Sequence, residues 1–451
     1  MRSWLHRLDG HWFAPARLDD LALARIVLVG FQLILLLTPA LSDTVGICLG
    51  CYPVYQVALT KLSPDQYVPI PALKVLLLPF GWGVRPDPMF LQAVWLAAVV
   101  TGFFSLLGLY ARPSLLVFAA ANTLLVAHAY SYGEAHHPEA LITIAFWILA
   151  LSPSAAAWSL DGLRDRIRCS VFAMRFEGKS GKIAESPMAR WPLRLIQWLL
   201  VLAYFSAGMS KIRHGGLEWL NGYTLAYLVG KDAVERGAPL GVWLSGQIPL
   251  LRVFSVIAVG TELGFVGAIL LPRFTWLFLL AGAGLHTAIY LTQRAPFPQF
   301  IALYVVFVET LRTYPPWPLS ARAPKARPKW TVVYDGLCPL CIRTMTVLDY
   351  LDLRSTLSFV DLEREWPKAG AVLGPGLTLQ QARHALHLAS PDGRVTRGFS
   401  AFREFTRLLP PLWPLVPFLY LPLMDRVGAW AYNVVARNRS RQACRVEACA
   451  I

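Results

Sequence analysis

The chain has 451 residues, of which 56% are hydrophobic and 15% charged, and a formal net charge of +15. Its length points to two or three domains, and its composition is too apolar for a water-soluble protein of this size. The excess of Lys and Arg argues for no nucleic-acid partner, because the cations flank apolar runs instead of forming a surface with aromatic side chains.

Residues 1–21 are polar and lead into an apolar stretch without a small-residue cleavage site, so no cleavable signal peptide is expected. Apolar runs near the spanning length of about 20 residues then recur. They fall at 22–40, 89–110, 114–131, 138–157, 195–212, 249–271, 274–292 and 298–312. Residues 68–84 and 223–246 are apolar but broken by Pro and Gly, and read as interfacial or re-entrant. A polytopic α-helical membrane domain of about 8 spans is therefore expected over 1–312. Basic residues concentrate in the first 17 residues, in 158–194 (Arg164, Arg166, Arg168, Arg175, Lys179, Lys182, Arg190, Arg194) and in 312–329. Eight spans with the N-terminus inside place all three groups on the cytoplasmic face, as positive-inside topology requires. The expected setting is a bacterial inner membrane, with the N-terminus and the C-terminal domain cytoplasmic and the lipid bilayer as the first partner.

Ionisable side chains inside spans are costly and often functional. Arg25 lies in the first span, His136, His137 and Glu139 open the fourth, Lys211 closes the fifth, Glu262 lies in the sixth and His286 in the seventh. This topology puts Lys211 and His137 near the non-cytoplasmic side with His286 deeper. One shared pocket and a set of unrelated snorkelling side chains both remain open. Cys48 and Cys51, in Ile47-Cys-Leu-Gly-Cys51, fall in the first external loop, as a structural disulfide, inert thiols or a secondary redox pair.

Residues 313–329 form a Pro-rich, basic linker. Beyond it, 330–451 reads as a small α/β domain: strand 330–334, helix 342–353, strand 357–361, strand 385–389, a turn at Asp392-Gly393 and strand 394–397. The tail 408–422 is too rich in Pro to span. It is expected to pack on the sheet or to lie on the membrane with the helix around 424–437. Within this domain Tyr334-Asp335-Gly336-Leu337-Cys338-Pro339-Leu340-Cys341 sets a Cys-x-x-Cys where a strand hands over to a helix. A thiolate there faces unpaired N–H groups and the positive end of the helix dipole, which lowers its pKa. The turn is expected to expose Cys338, leaving Cys341 to resolve a mixed disulfide. A structural disulfide, inert cysteines and a zinc half-site completed by Cys444 and Cys449 are the alternatives. The last two cysteines are also candidates for electron shuttling with the first pair, and no metal site is assigned.

Asp335-Gly336-x-Cys338-x-x-Cys341, Asp392-Gly393-Arg394, Gly398…Ala401-Phe402 and Val435-Ala-Arg-Asn-Arg439 together resemble the DCC family of thiol-disulfide oxidoreductases over about 330–440. The resemblance implies a thioredoxin-like fold and a dithiol site at Cys338 and Cys341 with Asp335 beside it. The partner would be a disulfide- or thiol-bearing protein or small molecule. Thioredoxins place a cis-Pro beside the dithiol, and no Pro precedes strand 385–389 here. Ala207-Gly208-x-x-Lys211…Trp219…Gly222, His137 and Trp158-Ser-Leu-Asp161-Gly162 resemble the horizontally transferred transmembrane (HTTM) domain, related to vitamin K-dependent γ-glutamyl carboxylase, over roughly 15–312. That likeness makes Lys211 the match to a catalytic base, with His137 and His286 lining its cavity and a quinone-type ligand as the implied cofactor. No large outer domain for a protein substrate is read in this sequence, so glutamate carboxylation is not among the expected activities. The expected function is a membrane-bound dithiol oxidoreductase coupled to a quinone. Quinol chemistry at Lys211 and a non-enzymatic membrane scaffold are the alternatives.

Overall fold

The computed structural model describes residues 9–45, 67–71, 86–132, 137–176, 178, 185–316, 328–374 and 377–439, with backbone alone at 38–45, 137 and 138. The chain divides into two compact units, Met1–Ser159 with Ala184–Arg322 and Leu160–Ile183 with Ala323–Ile451.

The first unit is helical. Leu18–Val45 (α1), Pro88–Leu107 (α2), Ala111–Tyr130 (α3) and His137–Leu151 (α4) precede Leu160–Phe172 (α5), which belongs to the second unit. Arg190–Gly215 (α6), Tyr223–Arg236 (α7), Pro239–Ser245 (α8), Ile248–Gly264 (α9) and Thr275–Gln293 (α10) follow. Helix starts are set by familiar chemistry: Asp87 accepts from the Met89 N–H at 2.7 Å and Pro88 opens α2, while Asp19 and Asp20 complement the N-terminal dipole of α1. Leu28, Phe118, Phe146, Leu200, Phe265 and Phe307 centre one apolar core.

Among the described residues, five helical stretches are long and apolar enough to cross a bilayer: 18–37, 88–107, 111–130, 187–221 and 272–293. The pair α8 and α9, bent by 104°, makes a sixth if it is one broken span. Among the described residues the expected count of about eight is not confirmed, and two of the expected spans take other forms. In place of 138–157 the apolar helix is Glu139–Leu151, about 20 Å long at 1.5 Å per residue, short of the roughly 30 Å hydrocarbon layer. The expected span 298–312 is divided into Pro298–Leu303, a 3-10 turn Tyr304–Phe307 and Val308–Thr313.

Segments distant in sequence meet at one end of this unit. Ala16–Arg17 (β1) pairs antiparallel with Glu185–Ser186 (β2), Arg190 donates to the Ala14 carbonyl at 3.0 Å and to Glu309 at 2.5 Å, and Arg312 donates to Asp20 at 2.5 Å. Lys211 lies farther along α6, about 31 Å away by helical rise. Arg25, fully buried, donates to the carbonyls of Ser154 and Trp158 at 3.0 and 2.5 Å. Its charge therefore fixes the turn that follows α4.

The second unit contains Trp330–Tyr334 (β3), Pro339–Leu351 (α11), Leu357–Asp361 (β4), Trp366–Leu373 (α12), Leu379–Ala382 (α13), His387–Ala389 (β5), Val395–Arg397 (β6), Phe399–Leu408 (α14) and Met424–Asn438 (α15). Its sheet is mixed, in the order β4-β3-β5-β6, with β3 parallel to β4 and both other pairings antiparallel. Successive strand side chains point to opposite faces. Val332 and Tyr334 accordingly join Met345, Leu348 and Phe405, whereas Val333 and Val360 join Leu362, Ala369 and Ala382. Both faces of the sheet are covered.

Helix α5 packs on α11, with the Arg166 guanidinium 5.3 Å from the Tyr350 ring centre. Just beyond it, Phe176 meets Tyr334 and Phe359 edge-on at 5.8 and 4.8 Å. Part of the segment 158–194, which reads as a basic loop, thus folds as part of the second unit. At the other end of the unit, Gly428 seats α15 against Phe399, where any Cβ would sit 2.1 Å from the ring. Leu423 and, on α15, Val427, Trp430 and Val434, spaced on one helical face, are exposed.

Candidate active site

Asp335 ends β3 and builds the turn that follows. Its Oδ1 accepts the Leu337 N–H at 3.0 Å and its carbonyl accepts the Cys338 N–H at 3.3 Å. Gly336 passes directly over Asp361, where a Cβ would lie 2.0 Å from the carboxylate. The Asp-Gly pair is therefore a steric and hydrogen-bonding requirement of the turn. Burial raises the pKa of Asp361 and, together with the nearby Asp361 charge, that of Tyr334.

The turn delivers Cys338 to the N-cap of α11, where its Sγ accepts the Cys341 N–H at 3.3 Å. This satisfies one of the four free N–H groups at a helix start and places negative charge at the dipole's positive end. Neither cysteine is in a disulfide. The Cys341 thiol and backbone N–H and the Arg439 guanidinium stabilise the Cys338 thiolate, against the opposing effects of burial and Asp335, and draw its pKa down to about 6. Cys341 moves the other way, because its proton is held by the Cys338 sulfur and burial disfavours a second anion. The two sulfurs share one proton.

One expectation is overturned. Cys338 is not exposed by its turn: its relative exposure is 0%, and Cys341 is the partly exposed sulfur. The N-cap position turns the first thiol into the domain, while the second, one turn along α11, faces a cleft formed with α14 and α15. Arg439, just past α15, places Nη1 3.6 Å from Cys341 Sγ and donates through Nη2 to the Arg383 carbonyl. Arg383 is itself held by Glu363 through bonds of 2.7 and 2.6 Å. Tyr432 of α15 accepts the Leu386 N–H at 2.9 Å, just before β5. The sequence motif contained Arg439 without revealing this contact, and Tyr432 gave no local signal.

In the membrane unit, Lys211 Nζ donates to Glu262 Oε1 and Oε2 at 2.7 and 2.8 Å and lies 5.4 Å from the Trp219 ring centre. Gly208, one turn before Lys211, lets α6 approach α9, since a Cβ there would meet Glu262 and Leu263 at about 3.0 Å. His286 Nε2 lies 2.7 Å from the Tyr204 hydroxyl, which lies 2.7 Å from that of Tyr304. Tyr204 stacks on Phe265 and His286 on Phe300. Tyr204, Gly208 and Lys211 share one face of α6, so the sequence candidates Lys211, Glu262 and His286 adjoin one polar strip. The tyrosines that extend this strip were not legible as candidates. The side chain of His137 lies outside the described residues, as do His136, Cys48, Cys51, Cys444 and Cys449. The zinc and shuttling alternatives both need the last two.

Fold and site define a multi-helical membrane protein carrying a dithiol-bearing mixed α/β domain. The HTTM domain family matches residues 74–309, and the chain belongs to it. Residues 332–445 match the DCC1-like thiol-disulfide oxidoreductases. The two domains follow in that order, and the apolar helices with the HTTM domain make this an integral membrane protein. The chain is 26% identical over 125 residues to an uncharacterized chloroplastic protein of Arabidopsis thaliana, a match covering 27% of this chain and 57% of that protein. The chain thus spans little more than half the length of that curated relative. No solved structure matches the chain.

Proposed function

We propose that this protein is a membrane-anchored thiol-disulfide oxidoreductase whose redox centre is the Cys338–Cys341 dithiol. The observation that carries the reading is the Cys338 sulfur at the N-cap of α11, accepting the Cys341 N–H. A thiolate so held takes part in exchange with a disulfide without a separate base, as nucleophile or as acceptor of the neighbouring thiol's proton, and the second sulfur of the pair completes the exchange. The strand-helix-strand-hairpin-helix order around a 4-3-5-6 sheet supports a thioredoxin-like fold for this domain. The meeting of Ala14–Asp20 with Arg190 and Arg312 gathers basic segments at one end of the membrane unit, which supports a cytoplasmic placement of that end. The exposed stripe Leu423, Val427, Trp430, Val434, flanked by Arg426 and Arg437, supports α15 lying on an anionic lipid surface.

The quinone expected from the sequence finds partial support. Helices α7 to α10 enclose an apolar cavity of about 640 Å³, room for a lipid-soluble ligand. Among the described residues lining it, however, Lys211, Glu262 and His286 do not figure, and the Lys211 ammonium is directed at both Glu262 oxygens. These residues do not fit a quinol with Lys211 as its base. The test is titration of reduced protein, in detergent, with a disulfide reagent. The Cys338–Cys341 pair should be oxidised to a disulfide, read by mass spectrometry, and both Cys338→Ser and Cys341→Ser should abolish turnover. Full turnover by either variant removes the proposal.

A further inference from the structure

Resting on that reading, we propose that the cleft beside the dithiol binds a compact alkyl disulfide bearing an anionic group, and that Cys341, not Cys338, is the sulfur this substrate meets. The cleft has a volume of about 430 Å³ and lies among Leu340, Leu386, Phe399, Phe402 and Val435, with Cys341 on its wall. That volume is in the range of small-molecule sites. Arg439 is the one charged side chain among the described residues lining it, and its Nη1 stands 3.6 Å from Cys341 Sγ. An apolar wall with a single guanidinium beside a sulfur complements an aliphatic chain that ends in a carboxylate.

A peptide substrate is a poor fit. Main-chain pairing beside the dithiol would need free backbone groups, and the Leu386 N–H already donates to Tyr432. A polar tripeptide disulfide such as oxidised glutathione would lose water from several peptide groups against Phe399, Phe402 and Val435 with little in return. The burial of Cys338 leaves Cys341 as the sulfur within reach.

The exchange balances as follows. Cys341 Sγ attacks the nearer ligand sulfur while its proton passes to Cys338 Sγ. The ligand S–S bond breaks, giving a mixed disulfide with Cys341 and a ligand thiolate that takes the proton back from Cys338. The Cys338 thiolate then attacks Cys341 Sγ, forming the protein disulfide. The second ligand thiolate leaves and is protonated by solvent. Two electrons pass from dithiol to ligand.

The full-length protein in detergent decides the matter, with three probes: the symmetrical disulfide of 8-mercaptooctanoate, its uncharged bis-amide and oxidised glutathione. Mass spectrometry should find the octanoate adduct on Cys341 in Cys338→Ser, formed at least tenfold faster than any adduct on Cys338 in Cys341→Ser. Arg439→Gln should slow reduction of the carboxylate probe roughly tenfold more than that of the amide, the worth of one charge-assisted hydrogen bond, because the support Arg439 gives the Cys338 thiolate is lost equally for both probes. Adduct on Cys338 instead, equal rates with glutathione, or equal slowing of acid and amide by Arg439→Gln would overturn the inference while leaving dithiol exchange intact. Failure of the native protein to reduce any of the three probes would remove both.

Discussion

Two buried polar sites in this molecule handle charge in opposite ways. In the membrane unit four cations are answered within hydrogen-bond distance: Lys211 by both oxygens of Glu262, Arg190 by Glu309, Arg312 by Asp20, and Arg25 by two carbonyls. At the dithiol a single proton is shared between two sulfurs, with Asp335 opposing the thiolate and Arg439 favouring it. Closed pairs hold helices together. A site left with more than one protonation state has somewhere to go when a substrate arrives. The difference teaches where reactivity resides better than a count of ionisable residues does.

The sharpest way to break this comparison is to remove a sulfur. Cys338→Ser should eliminate disulfide turnover, measured as oxidation of reduced protein, without lowering the thermal transition of the membrane helices. Next in size, Glu262→Ala should destabilise the first unit by about 3 kcal/mol in detergent, because it strands an ammonium in a largely buried place. Lys211→Met with Glu262→Met should recover most of that loss, and thiol exchange should be unchanged in both. If turnover falls with Glu262→Ala in protein that remains folded, the two sites are coupled and the contrast fails.

A finer probe is pH. Because the pKa of Cys338 is lowered to about 6, its thiolate is present above that pH and lost below it. The ultraviolet thiolate absorbance that is lost in Cys338→Ser should rise through a midpoint near 6 and then level off. At pH 7 the thiolate fraction exceeds that of an ordinary cysteine roughly 30-fold, but the lower basicity of the sulfur cuts the rate advantage to a few-fold, so the midpoint and not the speed is diagnostic. A midpoint above 8 would place this thiol with the inert ones. The smallest effect concerns Trp430, exposed on α15. In liposomes of brominated anionic lipid its fluorescence should be quenched, and Trp430→Phe should remove a measurable part of the total quenching.

How much of this was legible in the sequence depended on range. Trp330–Tyr334 and Leu357–Asp361 were found at their true bounds, because β-branched and aromatic runs between turns are local signals. The placement of Cys338 just before a helix was legible for the same reason, although that helix begins at Pro339 and not at 342, which makes Cys338 its N-cap. Its burial was not, nor was the cleft beside Cys341, which is lined by residues some 50 to 100 positions onward, such as Leu386 and Arg439. Lys211 and Glu262 were both singled out, but their pairing, set by the approach of α6 to α9 at Gly208, carries no sequence mark. The split of 298–312 at Tyr304–Phe307 likewise escaped a test that reads only apolar length.

Helix α5 has a consequence for how this chain is assembled and handled. Because Leu160–Ile183 is spliced into the dithiol-bearing body, the backbone passes between the two bodies three times, and a cut in the Pro-rich stretch near 320 does not release a finished domain. A ribosome must emit these two dozen residues long before their partners exist, so they wait without their tertiary contacts while the later helices are inserted. An excised 330–451 fragment would lack the covering that α5 gives to α11, and its insolubility would say nothing about the chemistry of its sulfurs.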